Sequence, residues 1–166
     1  MNASGDGARV LIYSHDTFGL GHLRRCRTIA HALVAAHPNL SVLILSGSPI
    51  IGSFDFRARV DFVRIPGVIK LRNGEYTSLN LHIDIDETLA MRSSIIKHTA
   101  EAFGPDVILV DKEPLGLRGE VEETLHMLKG ARHASRAGPA RRARRAGFAG
   151  AGVAPQARRA GAARSL

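Results

Sequence analysis

The chain has 166 residues, 45% of them apolar, enough for one domain with a buried core. Its formal charge of +8 is lopsided: residues 1–129 hold 14 Lys and Arg against 15 Asp and Glu, while residues 130–166 hold nine Arg and no acid. The basic balance therefore says nothing about the first part and is no ground for reading it as a nucleic-acid binder, and the single cysteine, Cys26, excludes an internal disulfide framework and a thiolate zinc site.

Residues 1–8 lack the basic and apolar stretches of a signal peptide and are expected to be a flexible start. The apolar run 9–14 predicts a buried parallel strand, which needs hydrophobic side chains on both faces. It leads into loop 15–21. From 22 to 36 the period changes. Leu23, Cys26, Ala30, Leu33 and Val34 form a helical stripe, with Arg24, Arg25, Thr28 and His31 largely outside it. His37-Pro38-Asn39 stops that helix.

A second buried strand is expected over 41–46, then a Gly/Ser/Pro-punctuated loop over 47–56 with room for a helical turn, then a third strand over 60–65. A long loop follows from 66 to about 84, turning at Asn73-Gly74. Asp84, Asp86 and Glu87 suit a helix start. A helix over 87–103 puts Leu89, Ile96, Ala100 and Phe103 on one face, and Gly104-Pro105 ends it. A fourth strand over 106–110 and a Glu-rich helix over 119–129 complete the series.

Strands alternating with helices predict an α/β domain over 9–129, a Rossmann-like doubly wound parallel sheet. Ligands of such sheets bind beyond the carboxyl ends of the strands, which points to loops 15–22 and 111–118. No apolar run approaches the ~20 residues that span a bilayer, so a soluble, cytoplasmic chain is expected.

Residues 130–166 are a different material. Thirty of the 37 are Ala, Arg, Gly or Pro, and Phe148, Val153 and Leu166 are the sizeable hydrophobes. Without apolar periodicity the segment cannot offset its ordering entropy, and a disordered basic tail is expected. Those four residue types are encoded by codons that begin with two G or C bases, so a GC-rich gene read in the wrong frame writes such text. The change also falls where a fifth strand is due. The expectation is an incomplete domain, cut by a frameshift near Lys129. The competing reading is a basic tail that holds nucleic acid non-specifically.

The sharpest motif is Gly19-Leu20-Gly21-His22, between the first strand and the first helix. Its glycines allow a tight turn and close approach of a ligand. The unpaired N–H groups of the helix start favour an anion or oxyanion, and His22 can reach the same place. Arg24 stands where a dinucleotide fingerprint needs its third glycine, and no phosphate-cradling loop occurs elsewhere.

His15 and Asp16 share the loop with His22. Asp111 can cap the segment after its strand. Arg24, Arg25 and Arg27 read as a solvated helix face, or as positive charge for a phosphate. Cys26 reads as a small core residue. His82, Asp84 and Asp86 invite a metal reading, but helix capping explains the acids at less cost. Neither a metal nor a cofactor is expected. Tyr76, in the long loop, is a candidate acceptor contact.

Phe18-Gly19-Leu20-Gly21-His22-Leu23-Arg24-Arg25, with the helix through Ala30-His31-Ala32-Leu33, resembles the first loop of GT-B glycosyltransferases. More narrowly, it is similar to the group containing the N-acetylglucosaminyltransferase of peptidoglycan synthesis and related predicted glycosyltransferases. Pro105-Asp106-Val107-Ile108-Leu109-Val110-Asp111 resembles that family's Pro-Asp-hydrophobic-Asp segment.

The resemblance covers about residues 9–128 and implies the N-terminal half of a GT-B fold. It implies inverting transfer of a hexosyl group from a nucleotide-sugar donor to an acceptor hydroxyl. His22 would be the general base, or help hold the acceptor, with His15 and Asp16 of the same loop competing for the base role, and Asp111 would orient it unless it merely caps its segment. The backbone of Gly19, Leu20 and Gly21, with Arg24 and Arg25, would lie near the acceptor or the donor phosphates. In that family the C-terminal domain carries most of the donor site, so this chain is expected to be inactive as a transferase by itself. Two alternatives are a standalone nucleotide- or phosphate-binding module, and a nucleic-acid-associated protein acting through its tail.

Overall fold

A strand with no polar face must be covered on both sides, and residues 9–14 are: Leu11, Ile12 and Tyr13 are each at most 1% exposed. The computed structural model describes residues 7–15 and 20–136, with side chains described as far as 131. Expectations placed on Asp16, Phe18, Gly19 and residues 137–166 lie outside the described residues.

In chain order the elements are β1 (Arg9–Ser14), α1 (Gly21–Ala36), β2 (Ser41–Ser46), β3 (Val60–Arg64), β4 (Val68–Lys70), β5 (Tyr76–Ser78), α2 (Ile85–Phe103), β6 (Val107–Val110) and α3 (Glu122–Arg136). Short 3-10 turns occupy Ile51–Ser53 and Leu117–Gly119. β3, β2, β1 and β6 lie side by side in that order, all parallel. Val10 stands opposite Val42 and Val107, and Ile12 opposite Ile44 and Leu109. The chain is thus an α/β protein with a Rossmann-like parallel sheet.

The order reverses at β1. β2 and β3 extend the sheet one way, and α2 carries the chain back so that β6 joins the other side. Right-handed crossovers in opposite directions put their helices on opposite faces. Val10, Ile12, Val42 and Ile44 accordingly pack with Leu23, Cys26 and Ala30 of α1. Leu11, Tyr13 and Leu45 pack with Ile96 and Ala100 of α2 and with Val121. The two-residue alternation of a strand decides which core each residue joins. Each fully buried Leu or Ile is worth about 1.5–3 kcal/mol.

Local signals set the boundaries of α2. Asp84 Oδ1 accepts the Asp86 N–H at 2.7 Å, and Gly104, at φ 61, ends the helix in the left-handed region. Its buried stripe is Thr88, Arg92, Ile96 and Ala100, so Ile96 and Ala100 of the expected face are buried, Leu89 and Phe103 are partly buried, and Thr88 and Arg92 were not expected there. The expected long loop over 66–84 holds an antiparallel hairpin, β4 with β5, turning where Gly74 takes φ 90. Three-residue strands are too short to show an alternation in sequence.

α3 begins after a 3-10 turn and runs to Arg136, past its expected end at 129. Lengthening an existing helix needs no new nucleus, and Ala and Arg are strong helix formers. No helix among the described residues is long and apolar enough to cross a membrane.

Candidate functional site

Doubly wound sheets hold ligands beyond the carboxyl ends of their strands, where the strand order reverses. Here that place lies between β1 and β6. Two elements deliver side chains to it. α1 starts at Gly21, with Arg24 N–H donating to Leu20 O at 2.9 Å, so His22 stands in its first turn. After β6, Asp111 N–H donates to Tyr13 O at 3.0 Å, which ties Asp111 to the end of β1. Lys112 then takes left-handed backbone at φ 68 and turns the chain away. That conformation costs a non-glycine residue roughly 1–2 kcal/mol.

His22 Nδ1 lies 2.5 Å from Asp111 Oδ2, with the two side chains 22% and 12% exposed. Arg25 Nε lies 3.2 Å from Asp111 Oδ1, and Arg25 Nη2 lies 3.1 Å from His22 Nδ1. A guanidinium nitrogen only donates and a carboxylate only accepts, so both cannot bond the same ring nitrogen. The shorter contact requires Nδ1–H directed at Asp111. Arg25 then serves Asp111 through Nε and merely approaches His22. This assignment leaves the Nε2 lone pair to accept a proton, the arrangement of a carboxylate-oriented histidine base.

A second imidazole lies against the first. His15 is 2% exposed, and its ring centroid is 5.8 Å from that of His22, the planes at 72°. Burial, with the positive charge of Lys112 and of His22 beside it, lowers its pKa from the usual histidine value. His15, which competes with His22 for the role of base, is thus a weaker proton acceptor than an ordinary imidazole. Among the described residues its Nδ1 finds no hydrogen-bond partner.

Beneath this cluster is a polar group that the sequence did not reveal. Arg92 donates to both carboxylate oxygens of Glu120, Nε to Oε2 at 2.7 Å and Nη2 to Oε1 at 2.6 Å, and a third donor, Nη1, reaches Pro66 O. The Tyr13 hydroxyl also donates to Glu120 Oε1 and accepts Leu117 N–H at 3.3 Å. Burial opposes the charge on Arg92, but the bonds and charge of Glu120 outweigh it and raise its pKa; burial and Glu120 raise that of Tyr13. Gly47 makes room, since a Cβ there would stand 2.8 Å from Arg92 Nη1. The one signal for this group is the spacing of Arg92 four residues from Thr88 and from Ile96, on the buried stripe of α2.

Of the sequence-predicted residues, His22, Asp111 and Arg25 come together, with Leu20 and Gly21 bordering them along the chain. Gly21 is helical rather than left-handed, and among the described residues a Cβ on it would meet nothing within 4 Å. Gly19 lies outside the described residues. Arg24 is exposed on α1, and Arg27 turns away to donate to Asp55 O at 2.8 Å.

Tyr76 sits in β5 with Lys70 Nζ 5.6 Å and Arg118 Cζ 5.9 Å from its ring, apart from the His22–Asp111 pair. Asp84 caps α2 and Asp86 lies 3.4 Å from Arg118. Among the described residues no group of three or more His, Cys, Asp or Glu is placed to hold a metal ion. No protein-family model matches the chain, and no curated protein matches it.

Proposed function

We propose that this chain is the N-terminal, acceptor-side domain of a GT-B-type glycosyltransferase, with His22 as its general base and Asp111 as the carboxylate that orients it. The observation that carries this reading is the 2.5 Å contact between His22 Nδ1 and Asp111 Oδ2 at the reversal point of the sheet. In the reaction, His22 Nε2 takes the proton of an acceptor hydroxyl. The oxygen attacks the anomeric carbon of a nucleotide sugar, and the bond to the diphosphate breaks with its electron pair leaving on the nucleoside diphosphate.

The open space beside Gly21 suits close approach of the acceptor, and Arg25 adds positive charge nearby. A cytoplasmic setting, with a supply of nucleotide sugars, belongs to this reading. In that fold a second domain supplies most of the donor site, so this reading assigns acceptor binding to residues 9–129.

Histidine 15N NMR on the full chain tests this. His22 is expected to carry its proton on Nδ1, to lose that preference in Asp111→Asn, and to shift when methyl glucoside is added as an acceptor probe. Tight binding of a uridine diphosphate sugar by this chain alone would favour a standalone nucleotide-binding module. Salt-sensitive retention on DNA that vanishes on deleting 130–166 would favour a role through the basic segment.

A further inference from the structure

A hydrogen bond tolerates a wide range of donor angles and weakens steeply only below about 120°. The contact between His22 Nδ1 and Asp111 therefore leaves the imidazole, whose plane turns about its Cβ–Cγ bond, a range of orientations. Nε2 swings with that rotation, and a base must be aimed to within a few tenths of an ångström and about 10–20° to work. A second contact, on the ring itself, is needed to remove the rotation.

The structure contains one. Tyr13, His15 and His22 form a row of three rings. The Tyr13 and His15 centroids are 6.4 Å apart with planes at 63°, and the His15 and His22 centroids are 5.8 Å apart at 72°. Both contacts have the edge-to-face geometry that aromatic quadrupoles favour at these distances. The inner end of the row is anchored, because the Tyr13 hydroxyl bonds Glu120, itself clamped by Arg92. The outer end is the imidazole held by Asp111.

His15, in the middle, is 2% exposed and has little room to turn. Among the described residues its Nδ1 has no hydrogen-bond partner. The charged groups that face it are Lys112 and His22, with Glu113 and Glu120 acting more weakly in the opposite sense. Their balance and its burial favour the uncharged form, which does not repel His22 when that ring takes up a proton.

We propose that His15 is a positioning residue, setting the plane of the His22 ring by edge-to-face packing and so aiming Nε2, while Asp111 sets its position. The inference rests on the reading of His22 as a base. It needs a ring at position 15, not an imidazole as such.

The test uses the full chain, selectively labelled at histidine, and measures the order of the His22 ring by side-chain NMR relaxation. The wild type is expected to be rigid, with an order parameter of about 0.85. His15→Leu fills the volume without a ring and is expected to lower this to about 0.6 or less, while His22 keeps its proton on Nδ1. His15→Phe restores the ring and the order. Dispersed amide spectra in both variants show that the fold persists.

Equal order in the Leu and Phe variants overturns the proposal, because packing alone then suffices. So does a mobile His22 ring in the wild type. If instead the wild-type ring is ordered but carries its proton on Nε2, the base reading fails and the positioning result remains readable by itself.

Discussion

Asp111 and Glu120 are both carboxylates bonded to an arginine at the carboxyl end of the same sheet, yet their surroundings differ sharply. The Glu120 and Arg92 side chains are each 1% exposed, and both oxygens of Glu120 are bonded, by two arginine nitrogens and a tyrosine hydroxyl. The Asp111 side chain is 12% exposed and that of its arginine, Arg25, is 56% exposed. Asp111 directs a histidine whose second nitrogen is left to take a proton. The buried cluster is closed to a ligand, and the rim cluster is open to one. Chemistry belongs where a ligand can reach, and stability belongs where polar groups are paired out of reach of water.

The largest effect that would sharpen this contrast is the loss of Arg92. Arg92→Met leaves Glu120 buried beside Tyr13 without its cation, and removing one partner of a buried pair costs about 3–5 kcal/mol. Urea unfolding should show this as a lower midpoint at an unchanged slope. Adding Glu120→Leu removes the stranded charge and should recover most of the loss. A cost below about 1 kcal/mol for the single change would break the comparison, because the buried pair would then behave like a surface one.

The next effect follows from pH. His15 has a lowered pKa in the folded state. In the unfolded chain it takes up a proton near the usual value of about 6.5, while in the folded chain it stays uncharged until lower pH. Below about pH 6.5 the unfolded state therefore binds more protons, and stability falls as pH falls, by at most about 1.4 kcal/mol per pH unit for one proton. Above about pH 7.5 this group contributes nothing. His31, whose pKa is also lowered, adds a slope of the same sign, so the diagnostic quantity is a difference. His15→Phe should flatten the decline between pH 7 and 5 relative to the wild type, and identical slopes would show that His15 is not held uncharged.

The rim cluster was legible in the sequence and the buried one was not, for a physical reason. A switch point is a property of strand order, so reading β1 and β6 as buried parallel strands already brings loop 15–22 and the residue after Val110 to one place. His22 and Asp111 meet there through two short chain connections. Arg92 and Glu120 are 28 residues apart and join through tertiary packing alone. In one dimension Arg92 looks like the solvated face of α2, because a guanidinium is buried only where a partner waits for it. The stripe Thr88, Arg92, Ile96, Ala100 is regular, but two of its members are polar, and an apolar count passes over them. The hairpin β4–β5 was hidden differently: its strands are shorter than the window in which alternation shows, and its Asn73-Gly74 turn was the one visible trace.

The smallest effect completes the comparison between the two arginines. Arg25 Nε and Asp111 Oδ1 are 3.2 Å apart, a formal ion pair like that of Arg92, but water reaches the guanidinium and screens it. Holding a long side chain in one rotamer also costs entropy, which offsets much of the remaining attraction. Arg25→Ala should therefore change stability by no more than about 0.5 kcal/mol. It should also leave the His22 proton on Nδ1, since the carboxylate alone selects that tautomer. If the wild-type proton instead sits on Nε2 and moves to Nδ1 in Arg25→Ala, the guanidinium and not the carboxylate governs the ring, and the longer of the two contacts to Nδ1 is the one that matters.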